Sequence, residues 1–214
     1  MLIAFLGDSL TEGWPGAAFF PLLDRRMTAH GLLNRGRAGD TVADLLNRMQ
    51  YQGLEPVDAV FIWVGANDAI IGAWDAADPG SGWSWPERLL RLAGDYEELL
   101  EWTEARAPRI VVVRPLVLEA EGSLWEERAT EVAETAARLA AGRQSCRVVD
   151  LLPAFEAAAA AGDGPFTTDG VHFTDAGAEV VAGAFAAVIT RLEEEERRDE
   201  EAGAATGPVG EEAP

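Results

Sequence analysis

The stretch LIAFLGDSLTEG, residues 2–13, decides the fold. Leu2 to Leu6 is apolar without interruption, so neither face of a strand built from it is meant for water. An amphipathic helix needs polar positions every three or four residues, and a half-buried strand alternates; this run does neither. Gly7-Asp8-Ser9 then stops it with a turn. A strand buried on both faces belongs to a parallel sheet covered by helices. Its carboxyl end, here carrying a serine hydroxyl between acids, points to the edge where such sheets bind ligands.

The rest of the chain repeats the alternation. Leu32 to Arg35 is a weak second strand; Val57 to Val64 (VDAVFIWV), Arg109 to Leu118 (RIVVVRPLVL) and Arg147 to Leu151 (RVVDL) are the third, fourth and fifth. Helical spacing covers about 15–30, 41–52, 86–106, 123–142 and 175–196, and the Ala-rich segment at 155–162 is a short helix. Pro86 after Ser84 marks a helix start, and Gly142 and Gly162 fall where helices end. Five buried strands separated by helices predict an α/β doubly wound domain over residues 1–192. Residues 193–214 hold nine acids and two arginines; their first part extends the last helix and the remainder is expected to be a disordered, solubilising tail.

Composition limits the chemistry. The 214 residues suit one domain with a substantial core. A net charge of −20 and a pI near 4.3 exclude nucleic acid and anionic membrane surfaces as natural partners. All 17 basic residues are Arg, so no P-loop, Schiff-base or general-base lysine exists. Cys146 is the single cysteine, which rules out an intrachain disulfide and a Cys₄ zinc site; it is expected to be a small buried hydrophobe. Met1 leads straight into five apolar residues, too few for a secretory signal, and no 18-residue apolar span follows. The expectation is a cytoplasmic chain without a membrane span, its oligomeric state open.

The loops expected at the carboxyl edge read GDSLTEG, RAGDT, GAND and TTDGVHFTD. Taken singly, Ser9 is a helix cap, Asn67 a turn residue, and Asp169 and Thr168 the shapers of a turn with Gly170. Together they supply a chemistry. Asp169 and His172 at i, i+3 let the carboxylate accept the imidazole Nδ1–H and leave Nε2 as a base for a serine hydroxyl. Gly39, lacking a Cβ, allows close approach of a backbone N–H, and Asn67 adds a neutral side-chain donor, as a developing oxyanion requires. His30, before Gly31, reads as a helix C-terminal partner, and Asp8 and Asp68 as loop-bracing acceptors.

Gly7-Asp8-Ser9-Leu10, Ala38-Gly39-Asp40-Thr41, Gly65-Ala66-Asn67-Asp68 and Asp169-Gly170-Val171-His172 resemble, in order and spacing, the four blocks of the SGNH hydrolases, or GDSL esterases and lipases. Each block is short; all four together, over roughly residues 1–190, are highly specific. The resemblance implies a flavodoxin-like three-layer α/β/α sandwich with a five-stranded parallel sheet. It implies Ser9 as nucleophile, Asp169 and His172 as the other triad members, and Ser9, Gly39 and Asn67 as the oxyanion hole. It requires no metal and no organic cofactor. The expected substrate is a small-molecule carboxylic or thio-ester, cleaved through an acyl-enzyme.

Other readings share the fold. An FMN phosphate on the first loop would meet Asp8 and Glu12 with no basic residue to offset them. A phosphoacceptor receiver normally uses a lysine. A non-catalytic glycan- or protein-binding relative is separated from an esterase by turnover alone. After GAND the sequence reads as a long Gly/Pro/Trp-rich connection, in which Trp74, Trp83 and Trp85 are either a substrate wall or staples on the following helix. Trp14, Phe19 and Phe20 carry the same ambiguity. Short-chain esters, lysophospholipids, thioesters and acetylated sugars all fit, and acyl transfer competes with hydrolysis.

Overall fold

In the computed structural model of the protein, which describes residues 1–78, 80, 82–118 and 122–205, Leu2–Gly7 forms β1. It pairs in parallel on both sides, with β2 (Gly31–Gly36) and β3 (Ala59–Trp63). Next come β4 (Ile110–Val113) and β5 (Cys146–Val149), in the order β2-β1-β3-β4-β5. The strand order therefore reverses beside β1, where doubly wound sheets place their crevice. Gly7 is level with Gly36 on one side and Trp63 on the other, so three carboxyl ends finish together.

The unbroken apolar run has its reason in two cores. Ile3 and Phe5 join Phe61, Trp63, Phe19 and Phe185 on one face, while Ala4 and Leu6 join Ile62, Leu45, Leu99 and Val132 on the other. The first face is covered by α2 (Phe20–Arg26), α7 (Leu152–Ala160) and α8 (Asp175–Ala205). Against the second lie α3 (Val42–Gln52), α5 (Trp85–Glu104) and α6 (Leu124–Ala141). Phe5 stacks on Phe61 with centroids 4.6 Å apart. Each large side chain buried this way contributes ~1.5–3 kcal/mol, which makes β1 a stiff support for whatever stands at its end.

Several elements differ from their sequence-based expectation. The region 15–30 is not one helix: α1 (Ser9–Glu12) ends at Gly13, Pro15 cannot donate to a continuing helix, and α2 starts afresh at Phe20. Because α2 stops at Arg26, His30 meets no helix terminus; it lies in the turn before β2, with Nε2 2.9 Å from Glu193 Oε1 and Nδ1 3.3 Å from the Met1 amino group. β4 is shorter than 109–118, since Arg114 still donates to Val149 O but Pro115 has no N–H to carry the ladder on. Cys146 opens β5 and is half-buried, not a core residue.

The connection after GAND is largely helix: Ala66–Ala77 forms α4. Gly72 in its middle lowers helix propensity, but a Cβ there would stand 2.2 Å from Trp85 Cζ3, so the ring needs the glycine. Helix α8 continues to Ala205, its acidic half held by Glu195 on Arg147 (2.9 Å) and Glu196 on Arg109 (3.2 Å). Residues 206–214 of the expected tail lie outside the described residues.

Candidate active site

Ser9 follows β1 directly and opens α1. Asp8, not Ser9, caps that helix: its carboxylate accepts from Leu10 N at 3.0 Å. The serine hydroxyl is therefore free of the cap and 6% of the residue's surface is exposed. Ser9 Oγ lies 3.2 Å from His172 Nε2, across 163 positions of sequence. His172 Nδ1 lies 2.7 Å from Asp169 Oδ2, and the other oxygen of that carboxylate accepts the backbone N–H groups of Val171 (3.0 Å) and His172 (2.8 Å). One carboxylate thus shapes the turn and orients the ring. Burial raises the Asp169 carboxyl, but the His172 imidazole and the two backbone donors outweigh it and hold it below the ordinary value.

What keeps the distant segments together is core packing. Phe173, next to His172, is buried and stacks on Trp63 at the end of β3 with centroids 5.8 Å apart. Its carbonyl accepts from Ala17 N at 2.8 Å, which ties the loop after Ser9 to the histidine turn. Thr168 N closes that turn on His172 O at 2.8 Å.

The loops after β2 and β3 carry the two other expected donors. Gly39 has φ +83°, and an added Cβ would meet nothing within 4 Å; the glycine serves a left-handed backbone that side chains disfavour, and no steric limit is involved. Asn67 sits in the first turn of α4 and gives one of its amide hydrogens to Asp40 O at 2.9 Å, keeping the other. Asp68 braces the same region by accepting from Val42 N at 3.0 Å, and Glu12 by accepting from Ala38 N at 2.6 Å. Burial pushes both Asp8 and Asp68 up to about 7, and for Asp8 the fields of Asp68 and Asp40 add to it.

Gly39, Asn67 and His172 face a cleft of about 540 Å³ whose walls include Ile70, Trp74, Trp125 and Val171. Trp74, 70% exposed, stands at its rim. Trp83 and Trp85 do not line it. They belong to an adjoining cavity of about 320 Å³ that meets the cleft at Ile71. There Trp85 packs on Gly72 and donates Nε1 to Glu131 at 2.5 Å, while the Arg91 guanidinium lies 4.2 Å from the Trp83 ring centroid. Trp14 is exposed, and Phe19 lies in the core. The cleft walls Ile70, Trp125 and Val171 were not evident beforehand. For Ile70 a signal existed: Asn67, Ile70, Ile71 and Trp74 follow helical spacing. Trp125, on the first turn of α6, carries none.

The arrangement can take a proton from a hydroxyl at the end of a rigid strand and hold negative charge beside it. Comparison with known proteins agrees. The profile of the GDSL-like Lipase/Acylhydrolase family matches residues 5–180. LAE5, an alpha/beta hydrolase enzyme from the metagenome of Lake Arreo, shares 26% identity at a TM-score of 0.70, over 87% of this chain and 93% of its own. A lipolytic G-D-S-L family protein from Veillonella parvula shares 18% at 0.70, covering 89% and 98%. Axe2, an acetylxylan esterase from Geobacillus stearothermophilus, shares 22% at 0.67, covering 86% and 91%. No curated protein matches the chain. With its sheet order, its four loops and this profile in agreement, the chain belongs to the GDSL-like lipase/acylhydrolase family and is an SGNH-type serine hydrolase.

Proposed function

We propose that the protein hydrolyses small carboxylic esters through an acyl-enzyme on Ser9. The observation that carries this reading is the continuous contact from Ser9 Oγ to His172 Nε2 (3.2 Å) and from His172 Nδ1 to Asp169 (2.7 Å). His172 takes the Ser9 proton as Oγ bonds to the acyl carbon, and the carbonyl electrons move onto its oxygen. The N–H groups of Ser9 and Gly39 and the free amide hydrogen of Asn67 stabilise that oxyanion. Collapse returns the proton from His172 to the leaving alcohol or thiol. Water then repeats the sequence on the acyl-enzyme, releasing the acid and restoring Ser9.

The cleft argues for the substrate class. Its aliphatic and indole walls offer burial to an apolar acyl or aryl group and few partners for a hydroxylated ring. An uncharged short ester suits it better than an acetylated sugar of the kind that Axe2 acts on. No described helix is long and apolar enough to cross a membrane. The test is hydrolysis of p-nitrophenyl esters from acetate to palmitate by the purified chain and by Ser9→Ala. Hydrolysis of the short and medium esters, lost in Ser9→Ala, is expected; equal rates in the two proteins would refute the assignment.

A further inference from the structure

Arg48 lies on α3, off the cleft, with a side chain 9% exposed against an Asp40 carboxylate 6% exposed. Its guanidinium meets three acceptors on three segments. Nε donates to Asp40 Oδ2 at 2.7 Å, and Nη2 lies 2.6 Å from the same oxygen. Nη2 also reaches Arg35 O at 3.0 Å, next to the last residue of β2, and Gly7 O at 3.4 Å, at the end of β1. Gly7 precedes Asp8-Ser9, and Asp40 follows Gly39. The carbonyl of Asp40 in turn accepts the Asn67 amide at 2.9 Å. One cation therefore touches, directly or through Asp40, every segment that supplies a donor to the oxyanion hole described above.

We infer that Arg48 is the positioning residue of the oxyanion hole, a three-point clamp that fixes the Gly39–Asp40 turn and the Asn67 amide relative to Ser9. The inference rests on the reading of Ser9 as nucleophile. Other contacts hold the loop ends without it: Arg37 N donates to Gly7 O at 3.0 Å, Ala38 N to Glu12, and Val42 N to Asp68. Within the segment between Ala38 and Thr41, Asp40 N donates to Arg37 O at 3.2 Å and Asp40 O accepts from Asn67, but the contact that ties the Asp40 side chain to the ends of β1 and β2 is Arg48. Arg48 is also in ion-pair contact with Asp40, whose field, with that of Asp68, adds to the burial that raises the Asp8 carboxyl beside Ser9 in the chain. A planar fork can satisfy acceptors that diverge in this way; an ammonium, a compact point charge, cannot reproduce it. Oxyanion donors act only when they sit within a few tenths of an ångström of the developing charge, so slack at Asp40 affects the transition state and spares ground-state binding.

Arg48→Lys tests this with the charge retained, since deleting the cation outright strands the buried Asp40 carboxylate. On p-nitrophenyl acetate its kcat is expected to fall about 10-fold or more with KM within about twofold, the pattern of an interaction made only in the transition state. The midpoint of thermal unfolding should stay well above the assay temperature. In Arg48→Ala, kcat is expected to fall about 100-fold and to recover in part with added ethylguanidinium. A kcat for Arg48→Lys within twofold of the parent overturns the clamp. So does a loss that merely tracks the unfolded fraction, or a folded Arg48→Ala that ethylguanidinium leaves unchanged. Should Arg48→Ala not fold, Arg48→Lys decides alone. Failure of the Ser9 assignment shows separately, as hydrolysis surviving in Ser9→Ala.

Discussion

Asp169 has two tasks on its two oxygens, and they can be separated by one isosteric change. Oδ1 accepts the backbone N–H groups of Val171 and His172, and Oδ2 faces His172 Nδ1. In Asp169→Asn the amide oxygen can keep the turn while the NH₂ group faces the ring. Nδ1 must then accept, the ring proton moves to Nε2, and the hydroxyl of Ser9 loses its base. A fall in kcat of order 10⁴ is expected, as for the same change in serine proteases, with a folded protein and little change in KM. Steady-state kinetics on p-nitrophenyl acetate measures it. A loss below tenfold would mean that the carboxylate only shapes the turn.

At the scale of elements, α4 decides how the cleft is built. It presents Asn67 to the donor loops and Ile70 and Trp74 to the cleft, and it packs on α5 through the contact of Gly72 with Trp85. Gly72→Ala sets two effects against each other. A helix interior gains ~1 kcal/mol from alanine. The new Cβ would lie 2.2 Å from a ring already fixed by its bond to Glu131 and by the Arg128 guanidinium 4.8 Å from its centroid. Overpacking of that kind costs ~1–3 kcal/mol, so the variant is expected to be the less stable protein and, with Asn67 displaced, the slower enzyme. Thermal unfolding checks the first effect; an unchanged or higher midpoint would show that the ring moves freely.

The same helix marks where sequence reasoning stops. β1 and β3 are legible because both of their faces are buried and their runs are uniformly apolar, and the loops of Ser9, Asn67 and His172 are legible because they follow such a run or precede the last helix. β2 is weak because it is an edge strand, largely half-exposed, whose GLLNRG carries no strong pattern. In α4 two glycines disguise the periodicity: Gly65 sets the entry with φ +120°, and Gly72 answers a tryptophan 13 positions away. Arg48 is invisible for the same reason. Nothing in DLLNRMQ distinguishes a solvated arginine from one that reaches Gly7 and Asp40, because the contact exists only after three segments have met.

For the whole molecule, charge and burial act on stability in the same direction. The chain carries −20 overall, and the acidic half of α8 is held back on the body by His30, Arg109 and Arg147. Within the fold, burial pushes Asp8 and Asp68 from 3.8 up to about 7. Between those values the folded protein keeps protons that the unfolded chain has released, so stability falls as pH rises from about 4 to about 7 and levels off above. Each group contributes of the order of a few kcal/mol to that fall. Asp169 works oppositely, its carboxyl held low, so its stabilisation is lost as the medium becomes strongly acidic. A stability maximum on the mildly acidic side is expected, and urea unfolding at pH 6 and pH 8 measures its neutral flank. Asp8→Asn keeps an oxygen to cap Leu10 N and removes the buried acid. It should gain stability chiefly at pH 8 and flatten the difference between the two pH values. If Asp8→Asn and the parent lose stability equally between pH 6 and 8, Asp8 is ionised in the folded protein throughout, and the neutral carboxyl beneath Ser9 is ruled out.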